Sequence, residues 1–167
     1  MSFTDEELEY MRSQRLARLG TVGPDGQPDV VPVGFQIDGP YIYVPGFDIT
    51  RTRKYRNIRD GNPKVALTID DYVSTDPWTP RFVRIYGTAE LVEREGPYGR
   101  GAAIRITPTV SWSWNLDGQP YTGSTASGAL SRGPRQTSST RESSALERSD
   151  SRSSCSGSVF AARSRNW

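Results

Sequence analysis

Apolar residues in this chain arrive in short runs, some alternating, separated by turn and loop residues, and this pattern limits the fold more than any other feature. The runs are LARLGTVG (16–23), PDVVPVGFQI (28–37), YIYV (41–44), KVALTID (64–70), RFVRIYGTAEL (81–91) and AIRITPTVSWSWN (103–115). A period of two marks a half-buried strand. Pro24-Asp25-Gly26 places proline at the first central position of a turn, and Gly39-Pro40 turns the chain again. Pro32 marks the second run as an edge or bulged strand, and the near-continuous apolar KVALTID reads as a buried one. In the fifth run Phe82, Arg84 and Tyr86 share one face, with Val83 and Ile85 on the other. The stretch DYVSTDPWTP between the fourth and fifth runs reads as a loop.

Helical signals are few. Thr4 with Glu7 three residues on forms a capping box, and Leu8 and Met11 give the helix behind it an apolar stripe ending near Gln14. Thr50 is expected to cap a second short helix through Asp60, with Gly61 as its stop and Pro63 beyond. The expectation is a mainly β domain, a small antiparallel barrel of six strands with short helices.

Composition shifts after Tyr121. Residues 1–122 carry all the strand signals. Residues 123–167 are rich in serine and arginine, sparse in apolar side chains and without a period, so they read as a disordered tail. A basic RNA-binding or phospho-regulated tail and a carboxy-terminal end altered by a reading-frame change are the other readings.

Several chemistries are excluded by what is missing. The chain has no histidine, which removes Ser-His-Asp and Cys-His catalysis, His-ligated zinc and axial-His haem. Cys155 is the only cysteine, so no internal disulfide or metal-binding cysteine cluster forms. The acidic start MSFTDEELEY lacks the pattern of a secretory signal, and no run approaches the roughly 20 apolar residues of a membrane-spanning helix. The expected location is the cytoplasm, with no membrane partner.

The candidate site is ITRTRKYRNIRDGNPKVAL (49–67), which crowds Arg51, Arg53, Lys54, Arg56 and Arg59 ahead of a buried strand. Three readings compete. A solvated helix face is the usual fate of a charge run, but interleaved glutamates are lacking here. Nucleic acid binding calls for cations spread over a surface with aromatic platforms, and these are confined to one helix in a chain of formal charge +2. A phosphate pocket fits the hydroxyls of Thr50 and Thr52 beside Arg53 and Lys54. The residues alone favour the pocket by a small margin.

TRTRKYRNIRDGNPKVAL, preceded by PDVVPVGF and followed by RIYGTAEL, resembles the pyridoxamine 5′-phosphate oxidase-like, flavin-binding split β-barrel family. It is most similar to the actinobacterial branch that uses the deazaflavin F420, and ITPTVSWSWNLDG looks like that branch's closing strand. The resemblance covers about residues 3–122. It implies a homodimer with cofactor sites between subunits. Thr52, Arg53 and Lys54 match the step that grips the cofactor phosphate. Val31, Pro32 and Val33 match the strand along the ring system, and Val44 and Gly46 the stretch beside the ribityl chain. Trp112 and Trp114 would border the site. No catalytic residue is assigned; Tyr43, Tyr86, Tyr121 or a bound water would protonate the product. The implied activity is hydride transfer from reduced F420 to an enone-type double bond of a small molecule, as in tetracycline-type tailoring reductases. FMN is the alternative cofactor, and a non-catalytic flavin-binding or F420-binding protein the alternative role. F420 carries an additional oligoglutamate tail, and Arg51, Arg56 and Arg59 are the cations available to it.

Overall fold

A computed structural model describes residues 3–120. The expected serine- and arginine-rich segment, 123–167, lies outside the described residues. The order of elements is α1 (Asp5–Ser13), β1 (Ala17–Val22), β2 (Pro28–Val33), β3 (Gln36–Asp38), β4 (Tyr41–Pro45), a 3₁₀ turn (Ile49–Arg51), α2 (Arg53–Arg59), β5 (Lys64–Thr75), β6 (Trp78–Gly96) and β7 (Gly99–Trp114).

The strands form one antiparallel sheet of seven in the order β2-β1-β5-β6-β7-β4-β3. Its two edge strands are consecutive in the chain, joined only by Gly34 and Phe35. A flat sheet of seven strands holds its edges about 29 Å apart, whereas three chain steps reach no more than about 11 Å. The sheet must therefore curl until its edges meet, which makes a split barrel. Sequence reading had PDVVPVGFQI as one strand and a total of six. The chain instead breaks at Gly34, and the two pieces lie on opposite edges, giving seven. The position of β2 at an edge agrees with Pro32, which has no N–H to donate.

The barrel interior follows the period of two. Ala17, Leu19, Leu67, Ile69, Val83, Ile85, Ile104 and Ile106 are fully buried. The outward row at mid-sheet runs Val30, Gly20, Ala66, Tyr86, Val110 across five strands. Gly87 begins a bulge, because Tyr86 faces Val110 while Gly87 faces Pro108. Thr109, the extra residue, donates its hydroxyl to the Tyr86 carbonyl at 3.1 Å. DYVSTDPWTP, expected as a loop, is the turn end of the β5–β6 hairpin, with Thr75 paired to Trp78.

Helix α1 has the expected capping box: the Thr4 hydroxyl accepts from the Glu7 N–H, and the Glu7 carboxylate accepts from the Thr4 N–H. Met11 is wholly buried and Tyr10 nearly so, which docks the helix on the barrel. A cluster ties it down further. The Tyr10 hydroxyl donates to Asp71 and to the Arg81 carbonyl, Gln14 donates to Asp71, and Arg81 grips Asp71 through two bonds of 2.8 and 3.0 Å.

Candidate functional site

The basic segment does not form one helix capped by Thr50. Ile49–Arg51 makes a 3₁₀ turn, Thr52 takes the cap position with extended backbone, and α2 begins at Arg53. The Thr52 hydroxyl donates to the Ile49 carbonyl at 2.6 Å instead of capping α2. The break is set by Ile49, whose side chain is buried and fixes the turn to the barrel. Ile58 is buried and Tyr55 packs against the core, so these two seat α2 as their spacing predicts.

The cations along this segment fall into two groups. Arg51 pairs with Asp48 at 3.4 Å, and Arg59 grips Asp60 at 2.8 Å. Arg56 donates to the Arg51 carbonyl at 3.0 Å. Arg53 and Lys54 have no ion pair within 4.0 Å among the described residues. Arg53 is exposed and lines an open groove of about 390 Å³ with Pro24, Asp25, Arg56, Asn57 and Asp60. Lys54 is half-buried, and burial holds its ammonium below the usual lysine range, with the charge of Asp29 opposing the fall. A partly dehydrated ammonium with no salt-bridge partner is a site that gains from an incoming anion.

Asp29 is the second residue of β2, so Lys54 lies by the strand that carries Val31, Pro32 and Val33. Val33 points into the core and Pro32 outward. Strand β2 pairs only with β1, so the other edge of its backbone is open to an added partner. Val44 is fully buried, leaving only its backbone for contact. Gly46 lies against Ile49, where a Cβ would meet the isoleucine Cβ at 3.1 Å. It lines a small cavity of about 130 Å³ between the 3₁₀ turn and the Gly96–Gly99 end of the β6–β7 hairpin. The start of α2 thus lies by β2, and the end of β4 lies by the 3₁₀ turn that precedes α2.

Trp112 is elsewhere. It sits on the outer face, in the row Pro32, Arg18, Thr68, Arg84, Trp112. Four strand spacings, about 19 Å along the sheet, separate it from β2. The Arg84 guanidinium lies 4.4 Å from its ring, and Tyr86 meets it edge-on at 4.9 Å. Phe82 and Trp114 stand beside them, 5.9 Å between ring centres.

Of the suggested proton donors, Tyr43 lies under the Arg94 guanidinium at 3.8 Å, Tyr86 is exposed, and Tyr121 falls outside the described residues. Sequence reading missed an open apolar groove of about 650 Å³ over Gly20 and Ala66, walled by Val22, Val30 and Tyr86. Gly20 was its signal, since glycine inside a strand marks a place where something approaches closely. Asp29 and the Arg84–Trp112 stack gave no comparable sign.

The pattern of the pyridoxamine 5′-phosphate oxidase family matches residues 3–109. A 5a,11a-dehydrotetracycline/5a,11a-dehydrooxytetracycline reductase from Streptomyces rimosus is 40% identical over 129 residues, covering 74% of this chain and 90% of the relative. Among solved structures, a conserved hypothetical protein from Mycobacterium tuberculosis superposes with a TM-score of 0.56 at 22% identity, covering 73% of this chain and 92% of the other. A structure described as an F420 reductase superposes with a TM-score of 0.52 at 24% identity, covering 65% and 98%. At these identities the two structures speak for the fold alone.

Proposed function

We propose, from the premise that the chain belongs to the pyridoxamine 5′-phosphate oxidase family, that it is a reductase passing a hydride from reduced F420 to an activated carbon–carbon double bond of a small organic substrate. The substrate class follows the Streptomyces rimosus relative, whose name specifies dehydrotetracycline compounds; an enone in such a ring system is the electrophile. The observation that carries the cofactor reading is the pair Arg53 and Lys54, adjacent, in no ion pair within 4.0 Å among the described residues, and with Lys54 already stripped of part of its water.

The residues fit a phosphate-bearing ring cofactor. Arg53 offers parallel N–H donors and Lys54 a point charge, so the two address different phosphate oxygens. The open edge of β2 at Val31–Val33 would lie along the polar rim of a ring, with the Pro32 carbonyl but no Pro32 N–H to offer it, while Val44 and Gly46 supply backbone beside the connecting chain. The Thr52 hydroxyl holds the turn before α2 by donating to Ile49, and it would have to leave that bond to donate to a phosphate oxygen. The hydride chemistry is the cofactor's own when it is bound. The chain's part is to orient it and to keep water from the reacting face. The reductase relative supports an enzyme over a storage protein.

In a homodimer, which the sequence resemblance implies, a second copy would bring its own Trp112 to the Lys54 side. F420 is favoured over FMN by the sequence resemblance and by Arg56, which pairs with no acid and lines the groove beyond Arg53.

The test is to titrate the protein with F420 and with FMN. Lys54→Ala should weaken the preferred cofactor about ten- to hundredfold, the range for losing a bond to a charged group. Arg59→Ala should change little, because Arg59 is already held by Asp60. Unaltered affinity for both cofactors in Lys54→Ala would reduce the basic run to a solvated helix face and remove the assignment.

A further inference from the structure

We infer that Asn57 is a positioning residue that locks α2 in register against β1, and so holds Arg53 and Lys54 at the phosphate they are proposed to bind; the inference rests on that reading of the two cations. Asn57 sits one turn beyond both, at i+4 from Arg53 and i+3 from Lys54, so its orientation and theirs are tied to one helix rotation.

Helix α2 has only seven residues and no side-chain cap. A helix that short does not hold itself. Its place is set by what it packs on, and the apolar contact of Ile58 is non-directional: it keeps α2 on the barrel without fixing its rotation. The directional contact is Asn57. Its amide is 3% exposed and donates to the Thr21 hydroxyl, itself 2% exposed, at 2.9 Å. The two residues are 36 apart in sequence, so this bond joins α2 to β1 across the fold. The Asn57 backbone carbonyl accepts from the Asn62 N–H at 3.1 Å, fixing the exit of the helix independently of the side chain.

The Asn57 side chain lies beside the β1–β2 turn. Gly23 is buried, and a Cβ there would stand 3.7 Å from the Asn57 amide oxygen. That hairpin carries Asp25, on the groove shared with Arg53, and Asp29, whose charge acts on Lys54. Asn57 is thus the buried polar side chain of α2 that bonds the strand and lies beside the turn bearing the acids opposite the cations. A rotation of α2 by a single residue would swing Lys54 about 100° away from β2, and the bond to Thr21 is what opposes that rotation. The bond lies in a buried setting, where leaving either partner unpaired is costly.

The test works from Thr21, which is buried and not among the proposed cofactor contacts. Thr21→Val removes the acceptor at nearly constant shape, and Thr21→Ser keeps it. A double variant, Thr21→Val with Asn57→Leu, removes the bond without orphaning either group and guards against misfolding. FMN and F420 dissociation constants are measured beside melting temperatures. The expected result is that Thr21→Val and the double variant each weaken the preferred cofactor about fivefold or more, the lower end of coupling between linked sites, while Thr21→Ser stays within about twofold. Cofactor affinity at the wild-type level in the folded double variant overturns the inference, and so does a Thr21→Val protein that melts lower yet binds unchanged. Lys54→Ala run in parallel separates the two failures. If Lys54→Ala binds normally, the phosphate reading falls; if Lys54→Ala loses binding and the Thr21 variants do not, only the role of Asn57 falls.

Discussion

Asp71 shows how much a single residue does that its neighbours in sequence do not reveal. It accepts bonds from Arg81, Gln14 and Tyr10, the last from 61 residues away. The bonds from Arg81, more than the opposing effect of burial, hold its carboxyl below its ordinary value of 3.8. Burial first, and then the charge of Asp71, push the Tyr10 hydroxyl well above the usual tyrosine range, so that group stays protonated as a donor. Because the native carboxyl binds a proton less readily than the unfolded one, its contribution is complete at neutral pH. It fades as pH falls through the unfolded value near 4 and is gone below the depressed native value. Asp71→Asn should therefore destabilise the protein by about 1–2 kcal/mol at pH 7, a figure kept low because the pair is about a quarter exposed. In urea melts the gap from wild type should close below about pH 4; a gap that persists at pH 2 would mean the loss is packing and not charge. By contrast the Thr4–Glu7 box was read from the sequence directly, because both partners lie within one turn.

At the scale of elements, what the sequence displayed depended on how local the cause was. The strands β1 and β6 came from a period of two, and β4 and β5 from short apolar runs, signals that each segment carries by itself. The division of PDVVPVGFQI could not be seen, because Gly34 interrupts the run no more than Gly20 interrupts LARLGTVG. What separates them is partner choice: β2 joins β1 and β3 joins β4. The basic helix was placed correctly and its cap was not, because the start of α2 is decided by Ile49 entering the core and not by the hydroxyl at Thr50. The candidate phosphate contacts were visible as types and spacing, whereas their sorting into paired and unpaired cations rests on Asp48 and Asp60 being in reach. The bulge beside Gly87 supplies a test at this scale. A Cβ at Gly87 would stand 2.7 Å from the Thr107 carbonyl oxygen and 2.8 Å from Ile106 Cγ2. Backbone cannot yield as a side-chain end does, so Gly87→Ala should cost about 1–3 kcal/mol, read as a lower urea midpoint with the same slope. Gly20→Ala, with nothing closer than 3.5 Å, should cost less. Equal losses would show that the bulge is not the constraint.

For the whole molecule, the outer face poses the largest question. Val22, Val30, Tyr72, Val73, Trp78 and Tyr86 are exposed on a chain whose interior is already full, and Val30 alone is 68% exposed. A proposed homodimer would cover part of this face, where a stable interface needs about 800 Å² from each partner. The protein should sediment as a dimer at micromolar concentration, and Val30→Glu should shift it toward monomer with loss of cofactor affinity. A wild-type monomer that still binds cofactor would sink the shared site. The two-residue link at Gly34–Phe35 has a consequence in time as well as in space. The β5–β6–β7 meander is built from hairpin neighbours and can zip locally. Strand β1 must find β5, and β4 must find β7, over some 50 to 60 residues of chain. The loop-closure entropy of those searches is spent before their contacts repay it. Because the link is short, however, the searches are not independent: once one edge has landed, the other is held within a few ångströms of its berth. Barrel closure should then be a single late event, and refolding should show no species in which β1 is protected from hydrogen exchange while β4 is still open.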